Sequence, residues 1–536
     1  MSKNYLNLFL CLIFITSCGD NISPVDSGLE NQIFHFGNGS EPQGLDPHIV
    51  TGVPEHHILI ALCEGLTSSN PKGGEPLPGM AESWTISEDG RVYTFNINQN
   101  AKWSNGDKVI ADDFVWSWNR VLTPSLGSQY TDMLYYVEGA QDFYDGKIND
   151  FSKVGVKALD DNTLEVVLKN PTPFFLGLLS HYSTWPVHKE TVLKHGSIDD
   201  RNGQWTRPGN FVCNGPMQLK TWELNNKIVV EKNPFYWDAE MVKLNEIHYY
   251  PVTNVMTEDR MFRAGQLHST YTVPAQKCPV YIEEGNPNLS IDPYMGTYFY
   301  RTNTLHPVLK DKKVRKALAY SINRKQIVDK VSQCGQKPAF SFTPPGANGY
   351  QPKTEIPYDI ELAKNLLAEA GYPNGEGFPV LEILFNTSED HRKIALAVQQ
   401  MWQANLGISV ELVNMDWKVY LSRESSGDFQ ISRAGWIGDY EDPNTFLDLP
   451  MPGRGNNKTG WVNREYEKLV NQANQTLDQE KRYDLFRQAE SILIDELPVI
   501  PIYTYVRQIQ LSPDVKGWDS NYLDHHHPKY IYLERD

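Results

Sequence analysis

The sequence lacks the excess of basic residues that nucleic-acid binding requires. Its 49 Lys and Arg residues stand against 66 Asp and Glu residues, which gives a formal net charge of −17. Such a surface is poorly suited to neutralising phosphates, so we expect no nucleic-acid partner. The chain also has no CxxC pair and no group of His and Cys residues at zinc-ligand spacing. We therefore expect no metal and no other cofactor.

Cysteine itself is scarce, with six residues in a chain of 536. Two of the six lie in the N-terminal segment that is discussed below. The other four are widely scattered and are Cys63, Cys213, Cys278 and Cys334. Isolated cysteines of this kind are typical of buried free thiols. In an oxidising compartment, one long-range disulfide between two of them is the alternative.

Most enzyme signatures are missing as well, since there is no HExxH, GxSxG, Walker A or GxGxxG sequence. One SxxK match, Ser69–Lys72, contains Pro71 and is followed by two glycines. A serine and a lysine at this spacing need a helical turn to face each other, which proline and glycine disfavour. We expect no enzymatic activity, and a serine hydrolase acting through Ser69 and Lys72 is kept as an alternative.

The histidine runs His56–His57 and His525–His527 lack the spacing of metal ligands. Adjacent side chains on an extended segment point in opposite directions, so they do not converge on one ion. We expect the run at 525–527 to lie at the surface. His391 differs, because it is about the third residue of a helix that Ser388 is expected to cap, where free amides favour negative charge.

The N-terminus has the pattern of an export signal. Lys3 precedes an apolar run at residues 6–15, which is too short to cross a bilayer as a helix. The sequence Ile15–Cys18 resembles a bacterial lipobox, in which the cysteine is acylated and becomes the new N-terminus. Ordinary cleavage without a lipid is the alternative. We expect a signal peptide at residues 1–17, lipidation of Cys18 and a flexible tether at residues 18–31.

The rest of the chain alternates between strand-like and helix-like patterns. Residues 381–385 and 408–412 alternate apolar and polar positions, and a helix is expected between Ser388 and Gly407. Such a β-α-β unit is typical of mixed α/β proteins. Aromatic residues make up 12% of the chain, with 13 Trp and 28 Tyr, enough to line a ligand cleft as well as to fill a core.

The stretch Ser432–Tyr440 concentrates features of a ligand site. It follows a predicted strand at 429–431 and runs into a turn-forming segment, so we expect regular structure to end here. Arg433 and Asp439 would form a surface salt bridge in an ordinary protein. Beside Trp436 in a poorly hydrated cleft, however, the two charges suit an extended zwitterion, and we predict a peptide ligand.

A resemblance to a known family covers almost the whole mature chain, through the ordered motifs Gly39–His48, Ala101–Gly106, Asn214–Pro216, Glu231–Pro234, Arg315–Leu318 and Arg433–Trp436. The sequence is similar to the oligopeptide-binding proteins of bacterial peptide ABC importers, the family 5 extracellular solute-binding proteins. The resemblance implies an α/β, three-lobed periplasmic-binding-protein type II (Venus-flytrap) fold with an extra inserted lobe. Lobes I and III would close on the ligand. The implied ranges are 32–63, 190–295 and 507–536 for lobe I, 64–189 for lobe II and 296–506 for lobe III.

The resemblance also implies roles for individual residues. Asp439 matches the acid that pairs with the α-ammonium of the peptide, and Arg433 and His391 match groups near the peptide carboxylate. Backbone groups near Gly435 and Ile437, and near Val53 on the facing lobe, would pair with the peptide like added strands. The rings expected to line side-chain pockets are Trp417, Trp436, Tyr130 and Tyr505.

The lipobox departs from the pattern of freely soluble periplasmic members, and three further departures are visible in the mature chain. Ser332 stands where well-known members have a lysine near the ligand carboxylate, so one peptide length is expected to be disfavoured. Thr51 replaces an acid in the facing lobe. Gly296 and Ile437 stand where those members have a disulfide pair, and both halves are lost together.

The predicted function is that of an exported receptor, in the periplasm or at the cell surface, which captures oligopeptides and delivers them to an ABC-transporter permease. We expect a monomer that the lipid on Cys18 holds at the membrane. A receptor of the same fold for murein peptides or another small solute, such as a dipeptide, haem or a nickel chelate, stays open. A sensor or adhesin on the same scaffold is a further alternative.

Overall fold

The structure is a computed structural model that describes residues 22–536. The predictions for the signal peptide at 1–17 and for lipidation of Cys18 lie outside the described residues. Within the described range, we find no helix with the length and apolar character needed to cross a membrane.

The strands differ greatly in length, from two to fourteen residues. In chain order they are β1 (Ile33–Gly37), β2 (Thr67–Ser68), β3 (Leu77–Pro78), β4 (Ala81–Ile86), β5 (Val92–Ile97), β6 (Val156–Asp160), β7 (Thr163–Val167), β8 (Met217–Glu223), β9 (Lys227–Lys232), β10 (Glu246–Tyr250), β11 (Leu289–Thr302), β12 (Lys337–Pro338), β13 (Leu381–Asn386), β14 (Val410–Met415), β15 (Ile431–Ile437), β16 (Val499–Gln510), β17 (Val515–Lys516) and β18 (Tyr532–Leu533).

The helices are most frequent in the second half of the chain. They are α1 (Pro24–Asn31), α2 (Val53–Leu62), α3 (Ala111–Leu122), α4 (Ala140–Tyr144), α5 (Phe175–Leu178), α6 (Lys189–Lys194), α7 (Val255–Arg263), α8 (Cys278–Glu283), α9 (Lys312–Tyr320), α10 (Arg324–Ile327), α11 (Ile360–Glu369), α12 (Glu389–Leu406), α13 (Trp417–Ser426), α14 (Asn444–Leu447), α15 (Arg464–Asn474) and α16 (Gln479–Glu496).

Three sheets of four or more strands organise the described part of the chain. Their strand orders are β1-β10-β9-β8, β4-β5-β7-β6 and β12-β16-β11-β15-β13-β14. The sheet β4-β5-β7-β6 lies wholly within the predicted insertion, residues 64–189. The six-stranded sheet contains the predicted β-α-β unit, because β13 and β14 are parallel and α12 connects them. That prediction is confirmed.

The long strands β11 and β16 connect the six-stranded sheet to the sheet that contains β1. Their first pairing joins Leu289–Pro293 to 506–510, and a second joins Thr297–Arg301 to 499–504. The register shifts between Pro293 and Thr297. Beyond the shift, Ser269 forms isolated bridges to both Phe36 and Leu511, next to β1 and β16. The lobe boundaries expected near 296 and 506 fall beside this irregularity.

The prediction of a flexible tether through residue 31 is wrong for residues 24–31, which form α1. The helix forms because the Ser23 hydroxyl accepts the Asp26 N–H at 3.1 Å and Pro24 occupies the first turn, where its missing N–H costs nothing. The C-terminal segment then holds the helix in place. Arg535 lies 3.0 Å from Asp26, and the Gln32 side-chain amide donates to the Leu533 carbonyl at 2.7 Å.

The prediction that regular structure ends at residue 431 is also wrong, because residues 431–437 form β15 in the middle of the sheet. Its side chains alternate, with Ser432, Ala434 and Trp436 buried on one face. The glycines and the arginine hid this pattern in the sequence. Tertiary pairing with β11 overrides their weak strand preference.

The four scattered cysteines divide into two pairs of different chemistry. Cys63 and Cys213 are buried free thiols, whereas Cys278 and Cys334 form a disulfide. The bond joins the start of α8 to the segment before β12. The disulfide therefore links a segment that precedes the register shift in β11 to a segment that follows it. A structural disulfide of this kind belongs to an oxidising compartment.

Candidate functional site

One large cavity of about 330 Å³ lies between the six-stranded sheet and facing segments that include the start of α2. All ten residues predicted to bind a peptide line it, although they are scattered along the chain from position 53 to position 505. They are Val53, Tyr130, His391, Trp417, Arg433, Gly435, Trp436, Ile437, Asp439 and Tyr505. The structure brings the predicted residues together in one place, and their roles toward a ligand stay predictions.

Strand β15 presents a partly unpaired edge beside this cavity. On one side it pairs with β11 along its whole length, from Ile431 to Ile437. On the other side it pairs with β13 only at Ile431 and Ser432. The remaining five residues therefore have no neighbouring strand on that side within the described chain.

The backbone groups along this edge point away from β11. The Arg433 carbonyl is turned that way, since it accepts a hydrogen bond from the Tyr420 hydroxyl instead of bonding to β11. Residues two apart in a strand share this direction, so the N–H and C=O groups of Gly435 and Ile437 follow it. A Cβ at position 435 would lie 2.6 Å from the Tyr505 hydroxyl, so any larger residue there would require that side chain to shift.

Asp439 lies just beyond the end of β15 and contacts neutral groups from distant parts of the chain. Its Oδ1 accepts from the Tyr130 hydroxyl at 3.5 Å and lies 3.3 Å from Nε2 of His181. Its Oδ2 accepts from the Thr445 hydroxyl at 3.3 Å. No Lys or Arg of residues 22–536 lies within 4.0 Å of this carboxylate. Asp439 is thus a buried acid without a permanent cation beside it.

The electrostatics of Asp439 follow from this isolation. Burial raises the pKa of Asp439 well above its usual 3.8, and the nearby Asp132 carboxyl raises it further. The His181 ring does not supply a charge, because burial and the neighbouring His56 hold the pKa of His181 well below 6.5. An ammonium group brought to this position would favour the ionised carboxylate and pair with it.

Arg433 lies near the other end of the same edge. Its guanidinium donates to the Tyr505 hydroxyl at 2.8 Å and to Oδ1 of Asn386 at 3.3 Å, and it lies 4.8 Å from the centre of the Tyr298 ring. Its Nε has no hydrogen-bond partner. Within residues 22–536, no carboxylate lies within 4.0 Å of it. A buried cation in this setting suits an anionic group of a ligand.

His391 lies near Arg433, and both side chains contact the Tyr298 ring. It is the third residue of α12, and its backbone N–H donates to the Ser388 hydroxyl at 3.4 Å. Its ring packs against Tyr298 with 5.6 Å between ring centres, and its Nδ1 has no partner. Burial and the Arg433 charge hold the pKa of His391 well below 6.5. A carboxylate placed here would find one permanent cation and one neutral imidazole.

The facing wall of the cavity includes the start of α2, whose first residue is Val53. Trp417, the first residue of α13, lies on the side of the six-stranded sheet. It approaches the facing wall at Gly52, where a Cβ would lie 3.1 Å from the Trp417 ring. Trp436 lies on the buried face of β15 and its Nε1–H donates to the Thr445 hydroxyl at 3.3 Å. It therefore supports the threonine that binds Asp439.

Sequence reasoning named Tyr130 and Tyr505 but missed four other neighbours of the two charged residues. His181 and Thr445 contact Asp439, while Asn386 and Tyr298 contact Arg433. None of the four belongs to a motif that marks a site. Only Thr445 is near its partner in the chain, just beyond the turn after Asp439, and its hydroxyl also accepts the Asp439 N–H at 3.1 Å.

The prediction that the histidine run 525–527 lies at the surface is wrong. His525 and His527 are buried, and His525 lines the cavity. The C-terminal segment folds back against α2, which brings the rings of His525 and His56 to within 4.6 Å. In the described part of the chain, no three His, Cys, Asp or Glu side chains are grouped so that they could hold a metal ion.

The SxxK match does not form a serine–lysine pair in the structure. The Ser69 hydroxyl lies 2.8 Å from Nδ1 of His525, and the Lys72 side chain is exposed on a turn. The hydrogen bond between the Ser69 hydroxyl and Nδ1 of His525 gives the serine a structural partner other than Lys72. The geometry expected of a hydrolase using Ser69 and Lys72 is therefore not formed.

Comparison with known families settles the membership of the chain. The model of the bacterial extracellular solute-binding proteins, family 5, matches residues 75–458. The chain belongs to this family. It is 38% identical over 506 residues to the periplasmic oligopeptide-binding protein OppA of Salmonella typhimurium, and the match covers 92% of this chain and 91% of that protein.

Solved structures of similar proteins have the predicted fold. OppA of Haemophilus influenzae in complex with RPPGFSPFR matches with a TM-score of 0.89 at 35% identity, over 94% of this chain and 99% of that one. The murein tripeptide binding protein MppA of Escherichia coli also matches with a TM-score of 0.89, at 34% identity and the same coverage. Its unliganded open form gives only 0.65, at 35% identity over 94% of this chain and 98% of that one. These matches confirm the fold class and indicate a closed arrangement.

The departures from the family pattern have distinct places in the structure. Gly296 and Ile437 lie directly opposite each other on β11 and β15, and the Ile437 δ-methyl group lies over the glycine. Thr51 lines the cavity. Ser332 is buried at the end of a short helical turn, is not among the residues that line the cavity, and its hydroxyl has no partner.

Proposed function

We propose that this protein is an extracytoplasmic solute-binding lipoprotein that captures oligopeptides and delivers them to the permease of an ABC importer. The observation that carries the proposal is the unpaired edge of β15 inside the cavity, with Asp439 near one end and Arg433 near the other. A peptide added to that edge would bond to the backbone of Gly435 and Ile437. Family membership, and a similar protein named as an oligopeptide-binding protein, support the same function.

The termini of a peptide would supply the two charges that the cavity lacks. The α-ammonium would pair with Asp439, and the carboxylate would bind to Arg433 and His391 for peptides long enough to reach them. Charge-assisted hydrogen bonds in a dry site are stronger than neutral ones, so the ends would anchor the ligand. The middle of the peptide would be read mainly through its main chain, which all peptides share.

Closure of the proposed lobes I and III would couple binding to transport. Asp439 belongs to the proposed lobe III, whereas Tyr130 and His181 belong to the proposed insertion, lobe II. Closing without a ligand would bury Asp439 and Arg433 without counter-ions, which is costly. A peptide removes that penalty and so shifts the population toward the closed state, which the permease would recognise.

Isothermal titration calorimetry with three forms of one peptide tests the proposal. Trialanine should bind, and N-acetyl-trialanine should bind at least about 30-fold more weakly, because removing one partner of a buried charge pair costs about 2–5 kcal/mol. N-methyl-trialanine keeps the positive charge while adding a methyl group, and it should retain most of the affinity. Equal affinity for the acetylated and free peptides would contradict the proposed amine site.

The proposed anchor and location can be tested separately. The lipobox-like sequence Ile15–Cys18 supports lipidation of Cys18, and the Cys278–Cys334 disulfide supports an oxidising compartment, the periplasm or the cell surface. Labelling with radioactive palmitate should mark the wild type and not the Cys18→Ser variant. An unlabelled wild type that fractionates without membrane would overturn the anchor, and sedimentation of the variant should give the mass of a monomer.

The murein alternative has an observation in its favour, because one of the well-matched structures is titled a murein tripeptide binding protein. Mass spectrometry of ligand released from protein purified under native conditions separates the candidates. Ordinary linear peptides of mixed sequence support the proposal. Murein fragments, or a single non-peptide solute, would replace it.

A further inference from the structure

A second group of charged side chains lines the cavity besides Asp439 and Arg433, and we call it the charged branch. It consists of Arg301 from β11, Glu424 from α13 and Lys458 from the segment after α14. Arg301 and Glu424 form a buried ion pair at 2.8 Å. The second oxygen of Glu424 accepts from the Ser432 hydroxyl at 2.6 Å. Both carboxylate oxygens of Glu424 are therefore occupied within the protein.

Lys458 has no such partner. Its Nζ donates to Oε1 of Gln129 at 2.8 Å and to the Gly455 carbonyl at 2.5 Å, and both acceptors are neutral. Within residues 22–536, no carboxylate lies within 4.0 Å of this ammonium. An ammonium has three donors, so one is left for a ligand. The Gln129 amide is oriented for this arrangement, since its Nε2 donates to Ser425 at 3.3 Å.

Arg301 is thus paired with Glu424, whereas Lys458 has no carboxylate of the described chain in contact. Glu424 and Asp132 act on its charge only from beyond 4.0 Å. The neighbouring Arg454 shows the contrast, since Asp448 lies 2.9 Å from its guanidinium. Burial and the Arg301 charge lower the pKa of Lys458 to about 8. The side chain still carries its proton at neutral pH, although holding the charge there is costly.

We propose that this branch is a side-chain subsite in which Lys458 selects an acidic residue, Asp or Glu, of the bound peptide. The proposal rests on the peptide-binding function proposed above. An incoming carboxylate pairs with Lys458, whereas a basic side chain is placed beside a cation that no carboxylate of residues 22–536 contacts. The leftover donor of Lys458 makes the hydrogen bond, and Ser425 and Asn456 supply further polar groups on the lining.

A peptide scan measures the preference directly. Tetra-alanine and its variants with Glu, Gln or Lys at each position in turn are titrated into the purified protein by calorimetry. At one position, wild-type protein should bind Glu about 10-fold more tightly than Gln, the gain expected of a charge-assisted hydrogen bond of about 1.5 kcal/mol. Lys at that position should bind more weakly than Gln.

Variants of the protein assign the preference to one side chain. Lys458→Met should bind the Glu and Gln peptides equally, because it lacks the ammonium that distinguishes them. Lys458→Arg should keep the preference. Lys468→Met removes the same charge from an exposed helix site, where Lys468 pairs only with Glu465, and it should behave as wild type.

The outcomes separate this inference from the function on which it rests. Suppose that tetra-alanine binds, but that no position shows a preference for Glu over Gln that disappears in Lys458→Met. The subsite proposal is then overturned, and the receptor function stands. If Lys458→Met weakens all peptides equally and melts normally, Lys458 only connects Gln129 to the facing segment, and the proposal fails. If no tetrapeptide binds to wild-type protein, the proposed function itself fails.

Discussion

The two ends of the cavity hold their charged side chains in different ways. Arg433 is fixed within one sheet, because its partners Tyr505 and Asn386 lie on β16 and β13 of the same six strands. Asp439 instead contacts His181, which comes from the predicted insertion on the far side of the cavity. One site is complete within its own sheet, and the other is assembled from separate parts of the chain.

Under the proposed function, this difference would give the two ends different roles. A site that is complete before closure can attract the ligand without paying for its own assembly. A site that is completed by closure is instead sensitive to whether the ligand is present. We therefore expect substitutions at Asp439 to alter closing as well as affinity, and substitutions at Arg433 to alter affinity mainly for peptides that reach it.

The largest effect should follow removal of the charge at Asp439. Asp439→Asn keeps the shape of the side chain but leaves the peptide ammonium buried without a counter-ion, so affinity for trialanine should fall by about 30-fold or more. Calorimetry measures the loss. In the Asp439→Asn variant, N-acetylation of the peptide should reduce the affinity only slightly further. If acetylation reduced it as much as in the wild type, the amine would bind elsewhere.

A smaller and selective effect should follow removal of the charge at Arg433. Arg433→Met should weaken peptides of the matching length by about 10-fold, because one charge-assisted hydrogen bond contributes about 1.5–3 kcal/mol. A series of alanine peptides with two to five residues, each with a free or an amidated C-terminus, locates that length. If Arg433→Met weakened the binding of peptides of every length as strongly as Asp439→Asn does, the two ends would not differ in their roles.

The pH dependence of the closed population in the ligand-free protein should distinguish Asp439 from Arg433. A carboxyl group whose pKa is raised in the closed state favours closure at low pH, and this contribution is lost as the pH rises from the usual 3.8 through the raised value. Asp132, raised to about 6, acts in the same direction, whereas the lowered pKa of His181 opposes closure in acid. The contribution of Asp439 must therefore be measured as the difference in closed population between the wild type and a variant that lacks this carboxyl group.

Fluorescence energy transfer between probes on lobes I and III measures that difference. Relative to Asp439→Asn, the empty wild type should lose closed population as the pH rises above 3.8, since its carboxyl must ionise in a buried place. Identical curves for the two proteins would contradict the raised pKa. An Arg433→Met variant should shift the curve with little change of shape, because arginine does not titrate in this range.

The smallest effects should come from single hydroxyl groups at each end. Tyr505→Phe removes the 2.8 Å bond to Arg433, and Tyr130→Phe removes the longer 3.5 Å bond to Asp439. We expect the first to weaken peptide binding by about fivefold, near 1 kcal/mol, and the second by less. The reverse order would mean that the bond to Asp439 strengthens when the ligand is bound.

Much of the site was predictable because its central segment is contiguous. Arg433, Gly435 and Asp439 lie within one short stretch, and their residue types show what they can bind. Their partners were not predictable, because His181 and Asn386 carry no motif and lie far away in the sequence. The buried position of His525 was missed for a related reason: burial of a polar run depends on which segment folds against it.

The sequence by itself determined the chemical groups of this protein and the local elements that present them. The capped helix that carries His391, the β-α-β unit around it and the motifs of the family all follow from residue order, because they depend on neighbours a few positions apart. Only the tertiary structure decided that Ser432–Ile437 is a strand with a free edge. Strand pairing at β11, and its early end at β13, are long-range events that local propensity does not encode.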